Sequence, residues 1–161
     1  MECSPREIID RVSRSAHLHE GNNLVIALEP NLPTLYADPP RLETVIRNLF
    51  ENATKYAGED ARIEISVKEE NQTIIFRVKD NGPGIPDTER ERIFQSFYRV
   101  DTSLTRLASG AGLGLAICKG LIQAHGGEIW AEKQEEGACI AFSLPTSYPK
   151  ENTMRDPFSE R

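Results

Sequence analysis

Apolar positions follow two different periods along this chain. Ala61, Ile63, Ile65 and Val67 alternate with polar residues, and so do Ile74, Phe76 and Val78. A period of two predicts half-buried strands, and Glu70-Asn71-Gln72 between them predicts a hairpin connection. Around Leu42, Val45, Ile46, Leu49 and Ala53 the period is helical. On a wheel of 100° per residue with Asn48 at zero, these five fall roughly between 60° and 160°. Pro39-Pro40 opens this long helix, which ends near Ala57-Gly58.

The flanking segments complete the outline. Ser4-Pro5-Arg6-Glu7 has the form of a helix start, with a capping Ser, Pro in the first turn and an acid three residues after the cap. That helix runs to about Ala16 and breaks at Gly21-Asn22-Asn23. Leu24 to Leu28 and Thr34 to Ala37 read as short extended pieces. Asp80 to Pro86 is a Gly/Pro loop, Asp87 to Phe94 a short helix, and Gln95 to Gly112 a long loop without a clear period. Loops of that length are uncommon unless functional. A helix from Leu113 to Ala124 stops at Gly126-Gly127. Ile129-Trp130-Ala131 and Ala138 to Leu144 form a last hairpin around Glu135-Glu136-Gly137. The order predicts an α+β two-layer sandwich, a mixed sheet with about three helices on one face. The domain spans 1–145, and the polar, aperiodic 146–161 is expected to be a disordered tail.

Composition narrows the function. The chain has 161 residues, 39% hydrophobic and 27% charged, with net charge −6, which fits one globular domain. An acidic chain without a basic run is a poor nucleic-acid binder. No stretch is long enough to cross a bilayer, so no direct membrane contact is expected of this domain. Cys3, Cys118 and Cys139 have neither disulfide nor zinc spacing and read as buried thiols in a reducing compartment.

Three constellations carry candidate chemistry. On the long helix, Asn52 falls at about 40°, Lys55 at about −20° and Tyr56 at about 80°. With Asn48 they line one edge of the buried face. Asn is a poor helix-interior residue. An amide oxygen can ligate Mg²⁺, and an ammonium can face phosphate. A solvated flank would look the same. Asp80-Asn81-Gly82-Pro83-Gly84-Ile85 follows a strand. Its carboxylate could accept hydrogen bonds from an exocyclic amine, and its glycines let a flat ring approach the backbone. By itself it is equally a plain turn. Gly110-Ala111-Gly112-Leu113-Gly114 opens a helix, where backbone amides and the helix N-terminus favour polyphosphate. It is neither the dinucleotide fingerprint nor a P-loop.

In this order and on these elements, the three segments resemble the ATP-binding catalytic domain of two-component sensor histidine kinases. That family shares a superfamily with DNA gyrase, a heat-shock chaperone and MutL. Asn48 to Tyr56 is similar to its asparagine box, and Asp80 to Ile85 to its first glycine box. Phe94-Gln95-Ser96-Phe97-Tyr98-Arg99 is similar to its phenylalanine box, and Gly110 to Leu115 to its second glycine box. Ala124-His125-Gly126-Gly127 followed by Ile129-Trp130 is also typical. The resemblance covers about Ser4 to Leu144.

The resemblance implies that Asp80 holds the adenine amine, with Gly82, Gly84 and Ile85 shaping the pocket and Tyr56 against base or ribose. It implies that Asn52 coordinates Mg²⁺ with Asn48 beside it, and that Lys55 and Arg99 face the phosphates. Gln95 to Gly112 would be a mobile ATP lid anchored by Phe94 and Phe97. Gly110, Gly112, Leu113, Gly114 and Leu115 would present the second glycine box, and Arg106 is a weaker candidate for the γ-phosphate. The hydrolysing relatives carry a Glu four residues before the metal Asn as general base. Here that residue is Asn48, and an amide cannot take a proton. This disfavours an ATP-hydrolysing relative and the anti-sigma-factor serine kinases.

The expected reaction is γ-phosphoryl transfer from Mg-ATP to a histidine, in a protein histidine kinase of the cytoplasm or the cytoplasmic part of a membrane-bound sensor. The implied partners are a dimerisation and phosphoacceptor domain and a response regulator. His17, His19 and His125 do not fit the acceptor box, so a catalytic domain cut from a longer kinase is expected. A non-catalytic nucleotide-sensing module is the alternative.

Overall fold

The computed structural model of this protein describes residues 1–15, 23–58, 60–96 and 114–146. The elements run β1 (Glu2–Cys3), α1 (Pro5–Ser15), β2 (Asn23–Leu28), β3 (Leu35–Tyr36), α2 (Pro39–Ala57), β4 (Arg62–Glu70) and β5 (Thr73–Asp80). After two 3-10 turns, Asp87–Glu89 and Arg92–Phe94, come α3 (Gly114–Ala124), β6 (Glu128–Glu132) and β7 (Ala138–Pro145). Five strands form a sheet in the order β2-β4-β5-β7-β6, and β1 pairs with β3 apart from it. β2 lies parallel to β4, and the other three pairings are antiparallel. The sheet is therefore mixed, as expected.

The two periods of the sequence meet in one core. Ile63, Ile65 and Val67 of β4, Ile74, Phe76 and Val78 of β5, and Ile140, Phe142 and Leu144 of β7 are buried beneath the helices. Leu42, Val45, Ile46, Leu49 and Ala53, the stripe seen on the wheel, are all at most 4% exposed and join them with Phe50. Ile8, Ile9 and Val12 bring in α1, and Cys118 and Ile122 bring in α3. The Phe76 and Phe142 rings stack with centroids 4.6 Å apart across paired strands. Residues Asn71 and Gln72 both take positive φ, at 49° and 65°, which is the left-handed pair a two-residue hairpin needs.

Two details differ from expectation. Asp87 to Phe94 is not a short α-helix but two 3-10 turns. Ile93 and Phe94 must turn inward to be buried, and a segment this short gains little from an α-helical nucleus. The strand β1 has no forerunner in the sequence pattern. Its two residues pair with Leu35–Tyr36 far along the chain, a contact with no local period. No helix among the described residues is long and apolar enough to cross a membrane. Of the segment 146–161, expected as a tail, Thr146 still bridges to Leu35 and donates its N–H to the Gln72 carbonyl at 3.0 Å, and 147–161 lies outside the described residues.

Candidate functional site

Alternation along β5 puts Asp80 on the same face as Ile74, Phe76 and Val78, at the strand's end and only 7% exposed. A carboxylate at a core-facing position costs free energy unless it is hydrogen-bonded. Here its Oδ1 accepts the Gly82 N–H at 2.8 Å. Burial pushes its pKa up, and backbone N–H groups of Gly82 and Ala138 oppose the rise. Asn81 braces the same turn. Its Oδ1 accepts the Arg62 N–H at 2.8 Å and its Nδ2 donates to the Asp60 carbonyl at 3.1 Å.

The glycines of this loop are needed for close approach. A Cβ on Gly82 would stand 3.0 Å from Asp80 Oδ1 and 3.1 Å from the Tyr56 carbonyl oxygen. The loop is thereby seated on the C-terminal end of α2. Gly84 has φ 84°, and a Cβ there would meet the Gly137 carbonyl oxygen at 2.9 Å. Gly137 in turn has φ 70°, and a Cβ on it would collide with the Asp80 carbonyl. The β6–β7 connection therefore forms one wall of the Asp80 loop. By sequence, Gly137 is only a hairpin residue. Its Glu-Glu-Gly turn signal is visible there, but its contact with Asp80 is not.

Along α2, Asn48, Asn52 and Tyr56 are half-buried and Lys55 is exposed, beside the fully buried stripe. Helix α3 runs antiparallel to α2. Asp38 at the start of α2 meets His125 just past the end of α3, and the Val45 carbonyl meets the Cys118 thiol at 3.7 Å. The Asn48 side chain also hydrogen-bonds to Cys118. Continued along both helices, this register brings the start of α3, Gly114 and Leu115, alongside Asn48. Gly114 opens α3, and Leu115 packs against the core, as does Ile85. Burial pushes the Cys118 thiol up to about 12, and it pushes up the Cys139 thiol equally, helped by the Glu132 carboxylate.

The described structure thus gathers Asp80 and Gly82 at the C-terminal end of α2, with Gly84 against Gly137, and Asn48 beside α3; Ile85 packs against the core and Asn52 is half-buried on α2. Phe97, Arg99, Arg106, Gly110, Gly112 and Leu113 lie outside the described residues. Mg²⁺ bound with a nucleotide usually takes one or two protein oxygens and fills its shell with phosphate and water. Asn48 and Asn52, one turn apart on α2, offer such oxygens. Among the described residues, no cluster of three His, Cys, Asp or Glu side chains forms a self-sufficient cation site.

A family model for the histidine kinase-, DNA gyrase B-, and HSP90-like ATPases matches residues 37–148. The chain belongs to this ATPase family. It is 40% identical over 152 residues to the sensor histidine kinase WalK of Bacillus subtilis, across 90% of this chain and 24% of WalK. It superposes on the catalytic domain of the histidine kinase ThkA with a TM-score of 0.77 at 29% identity, covering 91% of this chain and 95% of that one. ThkA has also been solved in complex with the response regulator protein TrrA. Full-length ShkA in complex with AMPPNP superposes with a TM-score of 0.71 at 31% identity, over 89% of this chain and 29% of that one. Within the ATPase family these relatives are histidine kinases, and the expected fold and family both hold. The chain spans 18% to 37% of the length of the curated relatives it matches.

Proposed function

We propose that residues 1–145 form the Mg-ATP-binding catalytic domain of a sensor histidine kinase. The observation that carries this reading is the buried Asp80 carboxylate. It sits at a strand end, bonded to Gly82 and walled by Gly84 and Gly137, next to the Asn48–Tyr56 edge of α2. A carboxylate in such a slot accepts hydrogen bonds from an amine on a flat ring. The AMPPNP bound by ShkA supports an adenine nucleotide.

In this reading Asp80 selects adenine, and Tyr56 and Ile85 flank it. Lys55 and Arg99 face the phosphates, and backbone amides from Gly110 to Leu115 hold them. Phe97 anchors the segment between. Asn52, with Asn48 beside it, would hold Mg²⁺, which supplies charge neutralisation at the phosphates when bound. An imidazole nitrogen of the acceptor histidine attacks the γ-phosphorus. The bond to the β-phosphate bridging oxygen breaks, and ADP leaves. Positioning and charge stabilisation do most of this work. Asn48 stands where a water-activating carboxylate would be required, and it has no basic lone pair to offer. Transfer to a protein acceptor is therefore favoured over hydrolysis.

The acceptor belongs to a dimerisation domain of the same kinase, and a response regulator receives the phosphoryl group next. The ThkA–TrrA complex supports that partner class. A domain with these partners works in the cytoplasm. Incubation with γ-labelled ATP and a purified dimerisation hairpin tests the proposal. Label on the hairpin histidine is expected. Release of inorganic phosphate with no labelled hairpin would overturn it.

A further inference from the structure

We propose that His125 is a positioning residue for nucleotide binding, clamping α2 to α3. The inference rests on the ATP-binding reading above. α3 ends in a Schellman motif. Gly127 N–H donates to the Ile122 carbonyl at 3.0 Å, Gly126 N–H donates to the Gln123 carbonyl at 3.0 Å, and Gly126 has φ 78°. Both bonds are those of a helix closed by a left-handed glycine, and His125 is the residue just before that glycine. A Cβ on Gly127 would collide with the Ser143 carbonyl, so this turn is pressed against β7. The His125 backbone is thereby fixed, and its half-buried ring is aimed at α2.

The ring makes two bonds of opposite kind. Nδ1 lies 2.7 Å from the Leu121 carbonyl, and Nε2 lies 3.0 Å from the Asp38 backbone nitrogen. A carbonyl only accepts and an N–H only donates, so Nδ1 carries the proton and Nε2 accepts. Asp38 is the N-cap of α2, and its side chain accepts from Arg41 N–H. Helix starts leave backbone donors without intrahelical partners. His125 accepts the one at Asp38 and thereby ties the two helices at one end.

The antiparallel register carries that tie to the site. Cys118 meets Val45 and Asn48 midway along the pair. The same register brings the first turn of α3, Gly114 and Leu115, beside Asn48. The other end of α2 is held separately, where Gly82 packs on the Tyr56 carbonyl. With α2 anchored there, the His125 bond sets where the opening turn of α3 stands relative to Asn48. It acts on the phosphate half of the site and leaves the adenine slot alone.

The test compares Mg-ATP and adenosine affinities of the full chain by titration calorimetry. His125→Leu removes the acceptor, whereas His125→Gln keeps a carbonyl that can receive the Asp38 N–H. His125→Leu is expected to lose about three- to tenfold in Mg-ATP affinity, the range of one hydrogen bond. Adenosine affinity should change less than twofold, and His125→Gln should recover most of the loss. Equal losses for both ligands, or no loss for either, would overturn the clamp. Asp80→Asn run alongside separates the two readings, because unchanged binding there would overturn the nucleotide site itself. Should His125→Leu not fold, nitrogen NMR of the unsubstituted protein decides. Nδ1–H with coupling from Nε2 to the Asp38 amide is expected, and an Nε2–H tautomer would overturn the proposal.

Discussion

The Asp80 carboxylate accepts the Gly82 N–H at 2.8 Å while lying 7% exposed at the end of a core-facing row of apolar side chains. Burial raises its pKa. A raised folded-state pKa means that the folded chain holds the proton more tightly than the unfolded chain. The stabilising contribution is present below the ordinary aspartate range and is lost as pH rises through the folded value. At neutral pH this carboxylate therefore costs stability, and a ligand amine recovers part of that cost.

Asp80→Asn should separate function from stability. The amide oxygen can still accept the Gly82 N–H, but no charge is buried. Thermal melting at pH 7.5 should show the variant more stable by about 0.5–2 kcal/mol, with the gain vanishing below the ordinary aspartate range. Calorimetry should show ATP binding weaker by about 1.5–3 kcal/mol. A variant that is less stable at pH 7.5 and binds as before would contradict both roles of Asp80.

Glycine substitutions should divide by contact. Gly58 closes α2 with φ 78° and ψ −156°, and a Cβ there would have nothing within 4 Å. Gly58→Ala should cost about 1–3 kcal/mol of stability from backbone strain alone and leave nucleotide affinity intact. Gly137→Ala adds a collision with the Asp80 carbonyl. It should cost about 3 kcal/mol or more and weaken ATP binding as well. Urea titration with parallel calorimetry checks both. Equal behaviour of the two variants would remove Gly137 from the site wall.

These two glycines show what is legible in the sequence. The helix α2, its buried stripe and its Asn48–Tyr56 edge are readable because a 3.6-residue period is local. Asp80 is readable because the residues before it alternate. Gly137 against Asp80 and His125 against Asp38 are contacts between distant segments, set by how β7 registers on β5 and how α3 packs on α2. No local pattern reports them. The 3-10 turns at Asp87–Glu89 and Arg92–Phe94 escape the sequence for a related reason, since burial of Ile93 and Phe94 decides their form.

Asn52→Ala should lose more affinity for ATP in the presence of Mg²⁺ than in its absence, because the amide oxygen is assigned to the metal and not to the base. A difference of about tenfold between the two losses corresponds to about 1.4 kcal/mol. Calorimetric titrations with Mg²⁺ and with a chelator measure it. Equal losses under both conditions would take Asn52 out of the metal site.

The cysteines predict an alkaline limit. Cys118 and Cys139 are pushed up to about 12 from an ordinary 9.0 by burial. Their neutral thiols stabilise the folded chain at neutral pH, and that contribution falls as pH rises from about 9 toward 12. The urea midpoint should drop between about pH 8 and about pH 10.5. The Cys118→Ala, Cys139→Ala double variant should show a shallower drop. An identical drop in both proteins would assign the alkaline loss to other groups.

Nucleotide recognition by this fold stands or falls on Asp80. Titration of the protein with ATP, and then with GTP, is the decisive experiment, because the two nucleotides differ only in the ring edge that Asp80 would meet. ATP should bind with Mg²⁺, and GTP should bind at least about tenfold more weakly, since guanine presents a carbonyl where adenine presents its amine to a carboxylate. Equal affinities, or no binding of either nucleotide, would contradict recognition of adenine by Asp80.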